Sequence, residues 1–123
     1  MRRLLFVCSR NQWRSPTAEA IYRSDPRVEV RSAGVSPAAK RRVTAKLLQW
    51  ANVILVMEPE HKRRLLSQFA DLGPDLCIRV LDIPDDYAFM DTELVDLIRE
   101  RTEVLLAAAD ESDPQAASDA FQP

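Results

Sequence analysis

Cys8 and Arg14 stand six residues apart, with five residues between them, in the run Cys8-Ser9-Arg10-Asn11-Gln12-Trp13-Arg14-Ser15. A thiolate is a strong nucleophile once a positive environment favours it. A guanidinium offers a planar fork that holds two phosphate oxygens together. A loop leading from a strand into a helix turns several backbone N–H groups toward one point. With the positive end of the helix dipole, those groups form an anion site. Ser15 adds a hydroxyl that can hydrogen-bond the sulfur. These parts suit covalent phosphoryl transfer: Cys8 attacks phosphorus, while Ser9, Arg10, Asn11, Gln12, Trp13, Arg14 and Ser15 cradle the phosphate.

Such chemistry also needs an acid. A phosphate ester departs as an alkoxide or phenoxide unless it receives a proton, and the phosphocysteine then needs an activated water. One carboxyl group can serve both steps in turn. Asp82, Asp85 and Asp86 all lie in the segment Leu-Asp-Ile-Pro-Asp-Asp-Tyr, and residue type alone leaves all three open. Carboxylates in such a segment commonly serve only as turn and cap residues. A cysteine at a strand end is likewise often just a small hydrophobe. The context of Cys8 distinguishes it, with a strand before it and a Ser-Pro helix start after it.

The positioning elements follow from periodicity. Leu4 to Val7 is a short apolar run, as in a strand buried on both faces. Ser15 as N-cap and Pro16 at the first helical position open a helix that carries Ala18, Ile21 and Tyr22 and stops near Ser24, before Asp25-Pro26. Val28 to Ala33 alternates and reads as a second strand ending at Gly34. Pro37 opens a helix with Val43, Leu47 and Trp50 on one face. Val53 to Met57 is β-branched and apolar, the clearest strand. Pro59 to Phe69 is a basic helix facing inward through Leu65, Leu66 and Phe69. Gly73-Pro74 turns the chain into a strand over Cys77 to Leu81. After the aspartate-rich loop, Asp91 caps a last helix with Leu94, Leu97, Ile98 and Leu105 in a stripe. Strands alternating with helices imply a parallel sheet covered on both faces, which binds ligands beyond the carboxyl ends of its strands. Cys8 sits at such an end.

Composition narrows the setting. The 123 residues suit one domain, expected over 1–109, with 110–123 a polar, disordered tail. A formal charge of -2 argues against a nucleic-acid binder, and the basic clusters around Arg41 and Arg63 read as solvated helix faces. His61, on that second cluster, reads as solvated too. The N-terminal apolar run is too short for a signal peptide, and nothing is long enough to span a membrane. Two cysteines make no disulfide framework, so a cytoplasmic location is expected, with Cys77 packing in a strand. No Cys/His spacing suggests zinc; no metal or cofactor is expected. The loop after Cys8 has no glycine, and Asn11 best tolerates a left-handed backbone there.

The run Leu4 to Arg23 resembles the signature of the low-molecular-weight protein tyrosine phosphatases, Cys-x5-Arg-Ser after an N-terminal strand. Ser32-Ala33-Gly34-Val35 is similar to the family's Ser-Ala-Gly segment. Asn52 to Leu65 resembles its third strand and following helix, with Glu58 where an aspartate is usual. Ile83 to Tyr87 resembles its Val-Pro-Asp-Pro-Tyr loop, with Asp86 in place of the proline. The likeness runs from residue 2 to about 106. It implies a flavodoxin-like three-layer α/β sandwich with a four-stranded parallel sheet in the order 2-1-3-4. It implies Cys8 as nucleophile, Arg14 as phosphate-binding arginine, Asn11 as holder of the cradle backbone, Ser15 as stabiliser of the thiolate and Asp85 as general acid, with Asp82 the alternative.

The chain departs from the family as a short, divergent member. The deficit lies between Gly34 and Val53, where the family carries a longer loop with a wall aromatic. Trp13 stands where many members have a second loop cysteine, and either lines the pocket or packs on the first helix. The implied activity is a metal-independent phosphomonoester hydrolase, acting on phosphotyrosine in protein or on a small aryl phosphate, with inorganic phosphate or another oxyanion able to occupy the loop. The alternatives are a phosphate- or phosphoprotein-binding module with little turnover, and an arsenate reductase, which would need more cysteines than this chain has.

Overall fold

The computed structural model describes residues 1–111, and side chains through 108. Four strands, β1 (Arg2–Cys8), β2 (Val28–Gly34), β3 (Val53–Val56) and β4 (Ile78–Val80), form one parallel sheet in the order β2-β1-β3-β4. Four α-helices connect or follow them: α1 (Arg14–Tyr22), α2 (Ala45–Trp50), α3 (Pro59–Gln68) and α4 (Thr92–Glu111). The chain leaves β1 for β2 on one side and then crosses to β3 on the other. The carboxyl end of β1 therefore lies at the point where the strand order reverses.

Side-chain alternation along β1 builds two cores. Leu4, Phe6 and Cys8 face one layer, where α1 and α4 supply Ala18, Tyr22, Leu94 and Ile98. Leu5 and Val7 face the other, with Leu48 of α2 and Leu65 of α3. This is the flavodoxin-like three-layer sandwich. The first core is pinned by Tyr22, whose ring stacks on Phe6 at 6.0 Å and whose hydroxyl donates to Glu103 of α4 at 3.0 Å.

Three local expectations fail. No helix begins at Pro37; residues 35–43 form an irregular segment, and α2 starts only after Thr44, whose hydroxyl oxygen accepts from Leu47 N–H at 3.1 Å. Backbone bonds hold that segment instead: Ser36 N–H donates to the Ser9 carbonyl at 2.8 Å, and Lys40 N–H to the Arg10 carbonyl at 3.1 Å. Ser15 is not the cap of α1; Trp13 occupies that position without a side-chain cap bond, and Ser15 lies within the first turn. Leu66 points outward, while Leu65 is buried. Helix α4 runs through Glu111, and residues 112–123 of the expected tail lie outside the described residues. Among the described residues no helix is long and apolar enough to cross a membrane.

Candidate active site

The loop after β1 bends back over the sheet's carboxyl edge. Asn11 takes a left-handed backbone, φ 55°, at the position where a glycine-free loop tolerates it best. Its side-chain amide donates to Ser15 Oγ at 3.0 Å and to Ser32 Oγ at 2.9 Å. Ser32 in turn donates to Glu19 Oε1 at 2.5 Å. Ser15 Oγ, already an acceptor from Asn11, lies 3.0 Å from Cys8 Sγ, with its own proton free to donate to the sulfur. The Ala33 carbonyl, at 3.4 Å, is the weaker competitor for that proton. The series Glu19–Ser32–Asn11–Ser15 thus fixes one donor on the sulfur. Cys8 and Ser15 are both buried.

A second condition lets the loop sit so close. Gly34 pairs with Cys8 across β1 and β2. A Cβ there would fall 2.5 Å from the Ser9 carbonyl oxygen and 2.8 Å from Asn11 N, so only glycine permits the approach.

Arg14 begins α1 and is 4% exposed. Its Nη1 donates to Glu58 Oε2 at 2.8 Å and to the Ile83 carbonyl at 2.8 Å. Its Nε lies 3.6 Å from Asp85 Oδ1. Nη2 has no partner among the described residues and remains for an oxyanion. Glu58 follows β3 and Asp85 follows β4, so two further strand ends aim the guanidinium that the first strand's loop presents.

Glu58 is itself held by His61. Glu58 accepts from the backbone of residue 61, and His61 Nδ1 accepts from Glu58 N–H at 3.1 Å, a reciprocal cap on α3. His61 is therefore buried, not solvated as its basic neighbours suggest. Burial, then the positive charge of Arg14, lowers its pKa to about 4, so the ring is neutral at physiological pH.

A cavity of about 350 Å³ opens over the sulfur, lined by Cys8, Ser9, Arg10, Gln12, Trp13, Arg14 and Asp85. Asn11 and Ser15 stand behind this wall as supports. Trp13, 42% exposed, lines the cavity instead of packing away inside the protein. Of the three candidate acids, Asp85 lines it, while Asp82 lines a different cavity with Glu58, Pro59 and Pro84. Asp86 is exposed on the same loop. That loop is anchored at both ends: Met90 N–H donates to Thr17 of α1 at 2.9 Å, and Arg101 of α4 donates to the Leu81 and Asp82 carbonyls. Glu58, Glu19, Ser32 and His61 were not legible as site residues, although the place of Glu58 just after β3 satisfies the strand-end rule.

Comparison with known proteins follows the same lines. Residues 3–48 match the model of the family described as low molecular weight phosphotyrosine protein phosphatase. The chain is 33% identical over 93 residues to a protein of Bacillus subtilis (strain 168) called protein-arginine-phosphatase, spanning 54% of this chain and 62% of that relative. It superposes on an arginine phosphatase from Geobacillus stearothermophilus with a TM-score of 0.69 at 26% identity, covering 90% of this chain and 97% of the other. The low molecular weight protein tyrosine phosphatase of Streptococcus pyogenes shares the fold, with a TM-score of 0.73 at 17% identity over 88% of this chain and 93% of that one.

Proposed function

We propose, from the premise that this chain belongs to the low molecular weight protein tyrosine phosphatase family, that it removes phosphate from a phosphorylated side chain through a phosphocysteine at Cys8. Cys8 Sγ attacks phosphorus as the bond to the leaving oxygen breaks, and Asp85 in its acid form protonates that oxygen. Asp85, now a carboxylate, takes a proton from water; the water oxygen attacks phosphorus, and the sulfur–phosphorus bond breaks to give inorganic phosphate and free thiolate. Arg14 and the loop N–H groups stabilise the equatorial oxygens in both steps. The observation that carries this reading is the meeting of Cys8, Arg14 and Asp85 in one cavity, with Ser15 Oγ 3.0 Å from the sulfur.

Trp13 at the cavity wall favours an aromatic leaving group, phosphotyrosine in a protein or an aryl phosphate. A second reading, phosphoarginine in a protein, is favoured by the exposed carboxylates Asp85 and Asp86, which suit a guanidinium leaving group, and by the name of the B. subtilis relative. The two free cysteines suit a reducing cytoplasm.

Hydrolysis of p-nitrophenyl phosphate by the wild-type protein and by Cys8→Ser tests the mechanism. Turnover that persists in Cys8→Ser refutes it. Phosphate binding without turnover supports a binding module, and arsenate-dependent thiol oxidation supports a reductase. Matched peptides carrying phosphotyrosine or phosphoarginine then decide between the two substrates by kcat/KM.

A further inference from the structure

Trp13 stands between two hollows. On one side it lines the cavity over Cys8; on the other it lines a groove of about 540 Å³ whose wall also includes Gln12, Phe89, Lys40, Arg41 and Glu19. Gln12 belongs to both as well, so the two hollows adjoin along these two residues. Phe89 is 51% exposed there, which gives the groove two accessible aromatic side chains.

The charges around the mouth are divided. Lys40 and Arg41 line the groove and Arg10 lines the cavity over Cys8; all three are exposed, and among the described residues none has a carboxylate partner within 4.0 Å. Asp85 and Asp86 lie on the loop after β4. The clustering is notable in a chain with 19 acidic and 17 basic residues. The backbone that carries Lys40 and Arg41 is also tied to the site. Lys40 N–H donates to the Arg10 carbonyl at 3.1 Å, and the Arg41 carbonyl accepts from Gly34 N–H at 2.8 Å. Both residues thus ride on backbone that is bonded to the phosphate loop and to its neighbouring strand. The one carboxylate on the groove wall, Glu19, is engaged by Ser32.

We propose that this groove binds an acidic residue of the substrate protein next to the phosphorylated one, paired with Lys40 and Arg41 and packed along Trp13 and Phe89. The proposal rests on the phosphatase reading of the cavity and adds a sequence preference to it. Cations on an anchored backbone opposite an acidic peptide give selectivity by charge complementarity, an attraction that salt weakens.

The test is fluorescence anisotropy with Cys8→Ser protein, which reads binding without turnover. The probes are labelled phosphotyrosine heptapeptides flanked by aspartate, alanine or lysine. The aspartate-flanked peptide should bind about tenfold more tightly than the lysine-flanked one, as two exposed ion pairs would allow. Lys40→Glu/Arg41→Glu should invert that order, and Lys40→Gln/Arg41→Gln should level it. Equal affinities for all three peptides, or an order unchanged by the charge reversal, overturn the proposal. So does a short single-stranded RNA that competes for the same cations more tightly than the aspartate-flanked peptide. Failure of the underlying reading looks different: wild-type protein that does not hydrolyse p-nitrophenyl phosphate, whatever the flank preference of Cys8→Ser.

Discussion

Glu58 Oε2 accepts from Arg14 Nη1 at 2.8 Å, across 44 residues of sequence, and this contact fixes which edge of the guanidinium faces the cavity. With Nη1 occupied by Glu58 and the Ile83 carbonyl, the opposite nitrogen is the one left for an oxyanion. Glu58→Ala frees that edge and leaves a buried cation with one partner fewer. We expect kcat/KM for p-nitrophenyl phosphate to fall about tenfold, the scale of one charge-assisted hydrogen bond. Glu58→Gln keeps an acceptor and should lose about threefold. Steady-state kinetics with vanadate inhibition check this; an unchanged vanadate affinity in Glu58→Ala would show that Glu58 does not aim Arg14.

Gly34→Ala should cripple the site without touching a catalytic group. The added Cβ would stand 2.5 Å from the Ser9 oxygen and 2.7 Å from Ala39 Cβ. Neither the Ser9 carbonyl nor the Asn11 N–H is the end of a flexible side chain, so the phosphate loop must move off β2. We expect kcat/KM to drop about 100-fold, because misplacement near 1 Å has that cost. Overpacking should lower stability by about 1–3 kcal/mol. Urea denaturation alongside kinetics separates the two effects.

The sheet was legible because its strands are short apolar runs between clear breakers, and an alternating order leaves few ways to arrange four parallel strands. The Cys8–Arg14 loop was legible because its residues are contiguous. Residues 35–43 were misread because Pro37 looks like a helix start, while the segment's true partners are the Ser9 and Arg10 carbonyls. His61 looked solvated because Lys62, Arg63 and Arg64 follow it. Its place at the third position of α3 instead turns the ring back onto the Glu58 N–H. Glu58 itself reads in the sequence only as a departure from a family pattern, since a contact spanning 44 residues leaves no local trace.

Asp85 and Asp82 should separate cleanly by mutation. Asp85 lines the cavity and approaches Arg14 Nε at 3.6 Å, whereas Asp82 lines another hollow. Asp85→Asn should lower kcat by about 100- to 1,000-fold on a phenyl phosphate, whose leaving group needs the proton. The loss should be smaller on p-nitrophenyl phosphate, whose anion leaves more readily. Asp82→Asn should stay within about twofold on both, as a surface change away from the reacting atoms does. A leaving-group series for each variant is the measurement, and equal losses on both esters would remove Asp85 from the acid's role.

His61 makes stability depend on pH in a defined window. Its pKa falls from the ordinary 6.5 to about 4 in the fold, chiefly through burial and then through Arg14. The folded state therefore resists a proton that the unfolded chain accepts. Stability from this residue is complete above about 6.5 and is lost as pH falls toward 4, by about 3 kcal/mol in all at the usual conversion. The carboxylate of Asp25, lowered from 3.8 to about 2 chiefly by hydrogen bonds from Arg27, acts in the same direction but in a lower window. The two are thus separable. Urea midpoints measured from pH 7 to pH 4.5 should decline in the wild type and stay nearly flat in His61→Gln, whose amide oxygen can still accept from the Glu58 N–H. An equal decline in His61→Gln would assign the effect to other groups.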